Sequence, residues 1–233
     1  MKLFIYEKFW DSFLRINKTT QVKVTEFIAK FRENSKSAAI NLESINTFKD
    51  PTLRTARIDQ KYRAILKEAD PGNLYLLVWV DNHDEAMDWA RNKKIDWNEN
   101  TQSYQIYTLE ESVASVPEPP GSEELLFDGK YGKEDLIRLG VPEVLIPSVL
   151  PISDLNQLEE IEKFLPVDVF ENLFYLLDGA SLDALITEVK EGMVASDKEA
   201  DQLLSKNNIR SFIELTDDKL FNEALQGSLK KWK

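Results

Sequence analysis

Apolar residues change their spacing several times along the chain, and each change predicts an element. Leu3–Tyr6 is a short β-type run. After Asp11, Phe13, Leu14 and Ile16 take helical spacing. Val22, Val24, Phe27, Ile28 and Phe31 then recur every three to four residues, predicting a longer helix that Thr19 or Thr20 can cap. Leu53–Ile58 and Tyr62–Leu66 read as strands joined by Asp59-Gln60-Lys61. Asp70-Pro71-Gly72-Asn73 is a turn in which proline sets φ and glycine permits positive φ. Leu74–Val80 is almost wholly apolar and predicts a central strand. The order is β-α-α-β-β-β, with hairpins closing an antiparallel sheet under two helices. Asp81 or Asn82 can cap a short helix through Glu85–Ala90, and Ile95–Asn98 with Tyr104–Leu109 forms an added hairpin.

The second half is helical in pattern. Val116–Ser122 holds three of the prolines and reads as a stiff linker. Leu136, Ile137 and Leu139 run to Gly140, a C-terminal glycine with Pro142 beyond. Ser153 can cap Leu155, Leu158, Ile161 and Phe164. Pro166 opens Val169–Leu177, which Gly179 ends, and Ser181 caps Leu182–Val189 up to Gly192. Ile209–Leu215 is one more strand. Asp217 and Asp218 then favour the start of a helix carrying Leu220, Phe221, Ala224 and Leu225, stopped by Gly227. The expected class is α+β: a β-α-α-β-β-β domain with its hairpin at 1–108, a linker at 109–124, a helical module at 125–195, and a strand-helix tail at 196–233.

Charge separates these parts. Residues 1–95 carry a net +4 and the remainder −16, within a total of −12. Phosphates are repelled by the acidic part, so nucleic-acid contact is expected from the head. The plainer reading of the acidic excess is solubility. The chain has no cysteine, which removes disulfides, thiol nucleophiles and thiolate metal sites, and its single histidine, His83, excludes paired-histidine metal motifs. The apolar run Leu74–Val80 is far below the roughly 20 residues of a spanning helix, and no signal-peptide pattern opens the chain, so the expectation is a cytoplasmic protein without a membrane partner. The eight glycines allow no GxxxxGK[ST], and Gly129-Lys130-Tyr131-Gly132-Lys133 has the wrong spacing, so no phosphate-cradling loop is present.

Three segments carry a resemblance. Leu53-Arg54-Thr55-Ala56-Arg57-Ile58, Lys61-Tyr62-Arg63-Ala64-Ile65-Leu66 and Val80-Asp81-Asn82-His83-Asp84-Glu85-Ala86-Met87 follow one another as in the RelE/ParE toxin superfamily, which the first 95 residues resemble. Active members cleave messenger RNA on the ribosome, by attack of a ribose 2′-OH on the adjacent phosphate. The resemblance implies that Arg57 and Arg63 match basic active-site positions, that Lys61 lies near them, and that His83 matches a catalytic histidine. Met87 stands where active members have an aromatic acid or stacking residue, and a thioether transfers no proton. Asp81 stands where some have arginine.

A wider resemblance covers nearly the whole chain. The head, followed by Leu125-Leu126-Phe127, Asp135–Glu143 with its Leu-Gly-Val-Pro-Glu run, Phe164-Leu165-Pro166, Leu173–Gly179, Phe221–Leu225 and Leu229–Lys233, is similar to the N-terminal region of bacterial UvrD/Rep-type superfamily 1 DNA helicases. This implies a non-catalytic accessory module whose partners are nucleic acid and its own helicase motor. Arg54, Arg57, Lys61 and Arg63 would touch the nucleic acid. No cofactor is expected in this chain; ATP and Mg²⁺ would belong to a motor that follows. The alternative is a RelE-type endoribonuclease with a degenerate site formed by Arg57, Arg63 and His83. A further reading folds the acidic helices over the basic head, like an antitoxin in cis. Beside these stand plainer readings: the arginines pair with Asp59, Asp81 or Asp84, His83 is a turn residue, and Trp79 and Trp89 belong to a core or interface.

Overall fold

The computed structural model describes residues 1–34, 40–70, 73–109, 129–216, 219, 221–223 and 225–226. The chain divides into two compact units. One is Met1–Asn92 with the segment beginning at Ile209, and the other is Lys93–Asn208.

The first unit is a six-stranded sheet with helices. Its elements are β1 (Lys2–Tyr6), α1 (Phe9–Arg15), α2 (Lys18–Glu33), β2 (Leu42–Ser44), β3 (Leu53–Arg57), β4 (Tyr62–Asp70), β5 (Leu74–Asn82) and α3 (His83–Arg91). A last strand, Phe212–Glu214, joins from the far end of the sequence. The strand order is β2-β3-β4-β5-β1 and then Phe212–Glu214. The sheet is mixed, where the sequence predicted an antiparallel one: β1 runs parallel to β5, with Leu3 beside Tyr75 and Ile5 beside Leu77. The cause is strand arithmetic. β2 to β5 alternate direction, and β5 reaches β1 in the same sense. β2 is an addition, since three residues are too few to show a period.

One face of the sheet packs on α1 and α2. Leu3, Ile5, Ala56, Ala64, Leu66, Leu77 and Val80 meet Phe9, Trp10, Phe13, Val24, Phe27, Ile28 and Phe31. The cap of α2 is Asn17, not Thr19 or Thr20: its Oδ1 accepts from Thr20 N at 2.9 Å. Asn82 caps α3, accepting from Glu85 N at 3.3 Å. β1 ends at Tyr6 while β5 continues to Asn82. α1 covers part of that open edge, where Ser12 Oγ accepts from Val80 N at 3.1 Å. On the far side, α3 packs against β4 and β5 and buries Ala86 and Ala90. Lys67 Nζ is enclosed there between Thr52 Oγ1 at 2.6 Å and Asp50 Oδ2 at 3.4 Å.

The second unit joins a hairpin to short helices. Among the described residues, β6 (Lys93–Asn98) and β7 (Ser103–Thr108) pair with one another only. The α-helices of its described residues are α4 (Lys133–Arg138), α5 (Ile146–Val149), α6 (Leu155–Ile161), α7 (Val167–Leu177), α8 (Leu182–Glu191), α9 (Glu199–Gln202) and α10 (Lys206–Ile209). The sequence assigned the hairpin to the head, but it belongs with the helices. Asn98 Nδ2 and Gln105 Nε2 both donate to Gly140 O, at 2.8 and 3.0 Å, and Gln105 Nε2 also donates to Asp168 Oδ2 at 2.8 Å. Tyr104 N donates to Asn208 Oδ1 at 2.9 Å. Gly140 has φ +96°, and a Cβ there would fall 2.3 Å from Thr101 Cγ2, so only glycine closes this joint. The cap of α6 is Asp154, accepting from Gln157 N at 3.0 Å, while Ser153 bonds to the Gln157 side chain instead. Most of the expected linker at 109–124, the Leu125–Phe127 segment, Asp217 and Asp218, and Gly227 with the segment after it lie outside the described residues.

Candidate functional site

Four of the residues singled out in the sequence, Arg57, Lys61, Arg63 and His83, sit at one end of the first sheet. The β3–β4 turn is built by Asp59, whose Oδ1 accepts from the backbone of Lys61 and Tyr62, each at 2.9 Å. Its other oxygen takes Lys23 Nζ at 2.7 Å. Partial burial pushes the Asp59 carboxyl upward, but the Lys23 ammonium and the two backbone donors outweigh it and hold the group below the ordinary carboxylate range. Lys61 O in turn accepts from His83 N at 2.7 Å, tying the start of α3 to the turn.

Strand register then places Arg57 opposite Arg63, and Arg63 opposite Asp81, in one cross-strand row. Directly opposed residues on neighbouring strands share a face, and two like charges so placed repel. Arg63 turns its guanidinium to carbonyls, donating to Asp59 O at 2.9 Å and Tyr62 O at 3.0 Å. Arg57 is exposed and makes no ion pair among the described residues. Lys61 is exposed, its Nζ 5.7 Å from the centre of the Tyr62 ring.

The nearby carboxylates are engaged elsewhere. Asp59 holds Lys23, Asp81 accepts from Asn82 N at 2.8 Å, and Asp84 lies 3.0 Å from His83 Nδ1. None of the three bridges Arg57 or Arg63 among the described residues, so the expected surface pairing is not what is found. Arg54 does not join the cluster. It stands three residues before Arg57 and therefore on the other face of β3. There it pairs with Glu68 at 2.9 Å and donates to Pro51 O at 2.7 Å.

His83 is exposed and in contact with Asp84, and Met87 follows four residues later on the same side of α3. The histidine therefore has an acid neighbour but no aromatic hydroxyl at the matching place. Trp79 and Trp89 stack at 4.9 Å with planes 8° apart, and the Arg15 guanidinium lies 5.2 Å over Trp79. Sequence reasoning passed over Arg15 because nothing local links the end of α1 to β5. The bulge that leaves Val78 unpaired puts Trp79 opposite Ile65, in the row next to Arg63. Chemically, Arg57, Lys61 and Arg63 supply fixed positive charge and hydrogen-bond donors suited to phosphate oxygens.

Among the described residues there is no cluster of three or more histidine, aspartate or glutamate side chains placed to hold a metal, and no helix long and apolar enough to cross a membrane. No protein-family model matches the chain, and no curated protein matches it.

Proposed function

We propose that this chain is a non-catalytic module that contacts nucleic-acid backbone through Arg57, Lys61 and Arg63, as an accessory part of a UvrD/Rep-like DNA helicase acting in the cytoplasm. The observation that carries the binding part is the opposition of Arg57 and Arg63 across two strands, with no carboxylate bridging either among the described residues. Two arginines placed directly opposite one another repel, and a phosphate entering between the two guanidinium groups relieves that repulsion. Arg54 is left out of the interface, since Glu68 neutralises it on the opposite face. The helicase part is supported by the sequence resemblance. ATP and Mg²⁺ would act on the motor of the same protein, and a GxxxxGK[ST] loop is expected in it.

The non-catalytic part is supported by Met87 and by His83, whose ring nitrogen faces Asp84 and whose backbone is spent on the turn. The test is fluorescence anisotropy of the full chain with labelled single- and double-stranded oligonucleotides across a salt series. Affinity is expected to fall as salt rises. Arg57→Ala and Arg63→Ala should each flatten the log–log slope by about one, while Arg54→Ala leaves it unchanged. A wild-type response independent of salt would remove the proposal. Discrete cuts in ribosome-bound message that Arg63→Ala abolishes would replace it with the endoribonuclease.

A further inference from the structure

Helix α7 breaks its own amphipathic pattern. Val169, Leu173 and Leu176 are buried and form its core side. A 3.6-residue period puts Glu171, Phe174, Tyr175 and Asp178 on the opposite side. Phe174 is 37 % exposed and Tyr175 52 %. Their rings lie edge to face, 5.9 Å apart. Two adjacent exposed aromatics form a small contiguous apolar patch bordered by acidic side chains.

The chemistry of the stripe selects its occupant. Aromatic faces are negative, and the flanking side chains are acidic, so the surface attracts a cation that also brings apolar area. Arginine fits better than lysine: its planar guanidinium sheds water readily, stacks on rings and forks onto a carboxylate. The surroundings reinforce this, because residues 93–208 carry 24 Asp+Glu against 9 Lys+Arg. That field repels nucleic acid, an anionic lipid surface and the same face of a second copy. We propose that the exposed face of α7 is a docking site for an arginine-bearing segment of a partner protein. Phe174 and Tyr175 receive the guanidinium groups, and Asp178 pairs with one of them. This surface lies in the second unit and is independent of the nucleic-acid reading.

The full chain is titrated with a labelled amphipathic peptide carrying arginines at helical spacing and leucines between them, and with versions in which every arginine is lysine or glutamate. The arginine peptide is expected to bind most tightly, the lysine peptide more weakly, and the glutamate peptide not at all. Phe174→Ala with Tyr175→Ala should weaken the arginine peptide about tenfold or more, with the thermal midpoint little changed. Tyr175→Arg, which alters an exposed position, should abolish binding and covers the case in which the double variant misfolds. Asp178→Asn should weaken binding and flatten its salt dependence.

Unchanged affinity in the Phe174 and Tyr175 variants overturns the proposal. So does an equal loss from Glu159→Gln with Glu160→Gln on α6, because binding would then follow bulk charge. Self-association that these variants abolish, in the absence of any peptide binding, would give the face to a second copy and also overturn it.

Discussion

Two aspartates with opposite surroundings make the chain respond to acid in opposite directions. Asp59 is held low by Lys23 and two backbone donors despite partial burial. Its ionised form is therefore favoured by folding; that stability is present above the unfolded-state pKa and is lost as pH falls through the folded one. Asp168 is pushed up by desolvation, only partly offset by the Gln105 amide and nearby backbone donors. The folded state there holds its proton more tightly, so stability declines as pH rises from the unfolded pKa through the folded one. Urea melts at acidic and neutral pH check both. Asp59→Asn should destabilise the protein at neutral pH, with the difference closing in acid. Asp168→Asn, whose Oδ1 can still accept from Gln105, should stabilise it at neutral pH, again with the difference closing in acid. The direction of each shift was beyond the sequence, because Lys23 and Gln105 lie 36 and 63 positions from the carboxylates they meet.

At the level of elements, the joint between the hairpin and the helices rests on one glycine, and a second glycine supplies its control. Gly140 and Gly179 both have φ +96°, but a Cβ at Gly179 meets nothing within 4 Å, whereas at Gly140 it strikes Thr101. Gly179→Ala should cost about 1–2 kcal/mol of stability for backbone strain. Gly140→Ala should cost about 2–4 kcal/mol, since crowding is added to strain. Chemical denaturation of the two variants separates these contributions.

Long periodic elements such as α2 and the strands β3 to β5 were legible because burial imposes its spacing on the sequence itself. The caps at Asn82 and Ser181 fall where expected, but two others were displaced by one to three residues, because Asn17 and Asp154 compete with nearby serine and threonine for the same backbone donors. The separation of Arg54 from Arg57 was also available: an odd spacing on a strand puts two side chains on opposite faces. Three residues of β2 gave no signal at all.

Over the whole molecule, the second unit is an insertion between two parts of the first. The pairing of Phe4 with Glu214, Ile5 with Ile213 and Tyr6 with Phe212 joins segments some two hundred residues apart, a partnership that no local pattern can announce. Phe212 is fully buried, its ring 5.5 Å from Tyr6. A chain stopped after Asn208 should expose the free edge of β1. It is expected to self-associate in size-exclusion chromatography and to lose hydrogen-exchange protection at Ile5, while the full chain remains protected.

The same pairing has a consequence on the ribosome. β1 leaves the ribosome some two hundred residues ahead of its outer neighbour. At common elongation rates the nascent protein waits roughly 10–40 s with that flank unsealed. Charged residues stand at its mouth in the meantime, Lys2 on the strand and Glu7 just past it. They are expected to hinder the exposed flank from zipping onto the next polypeptide of the polysome until synthesis supplies the missing strand.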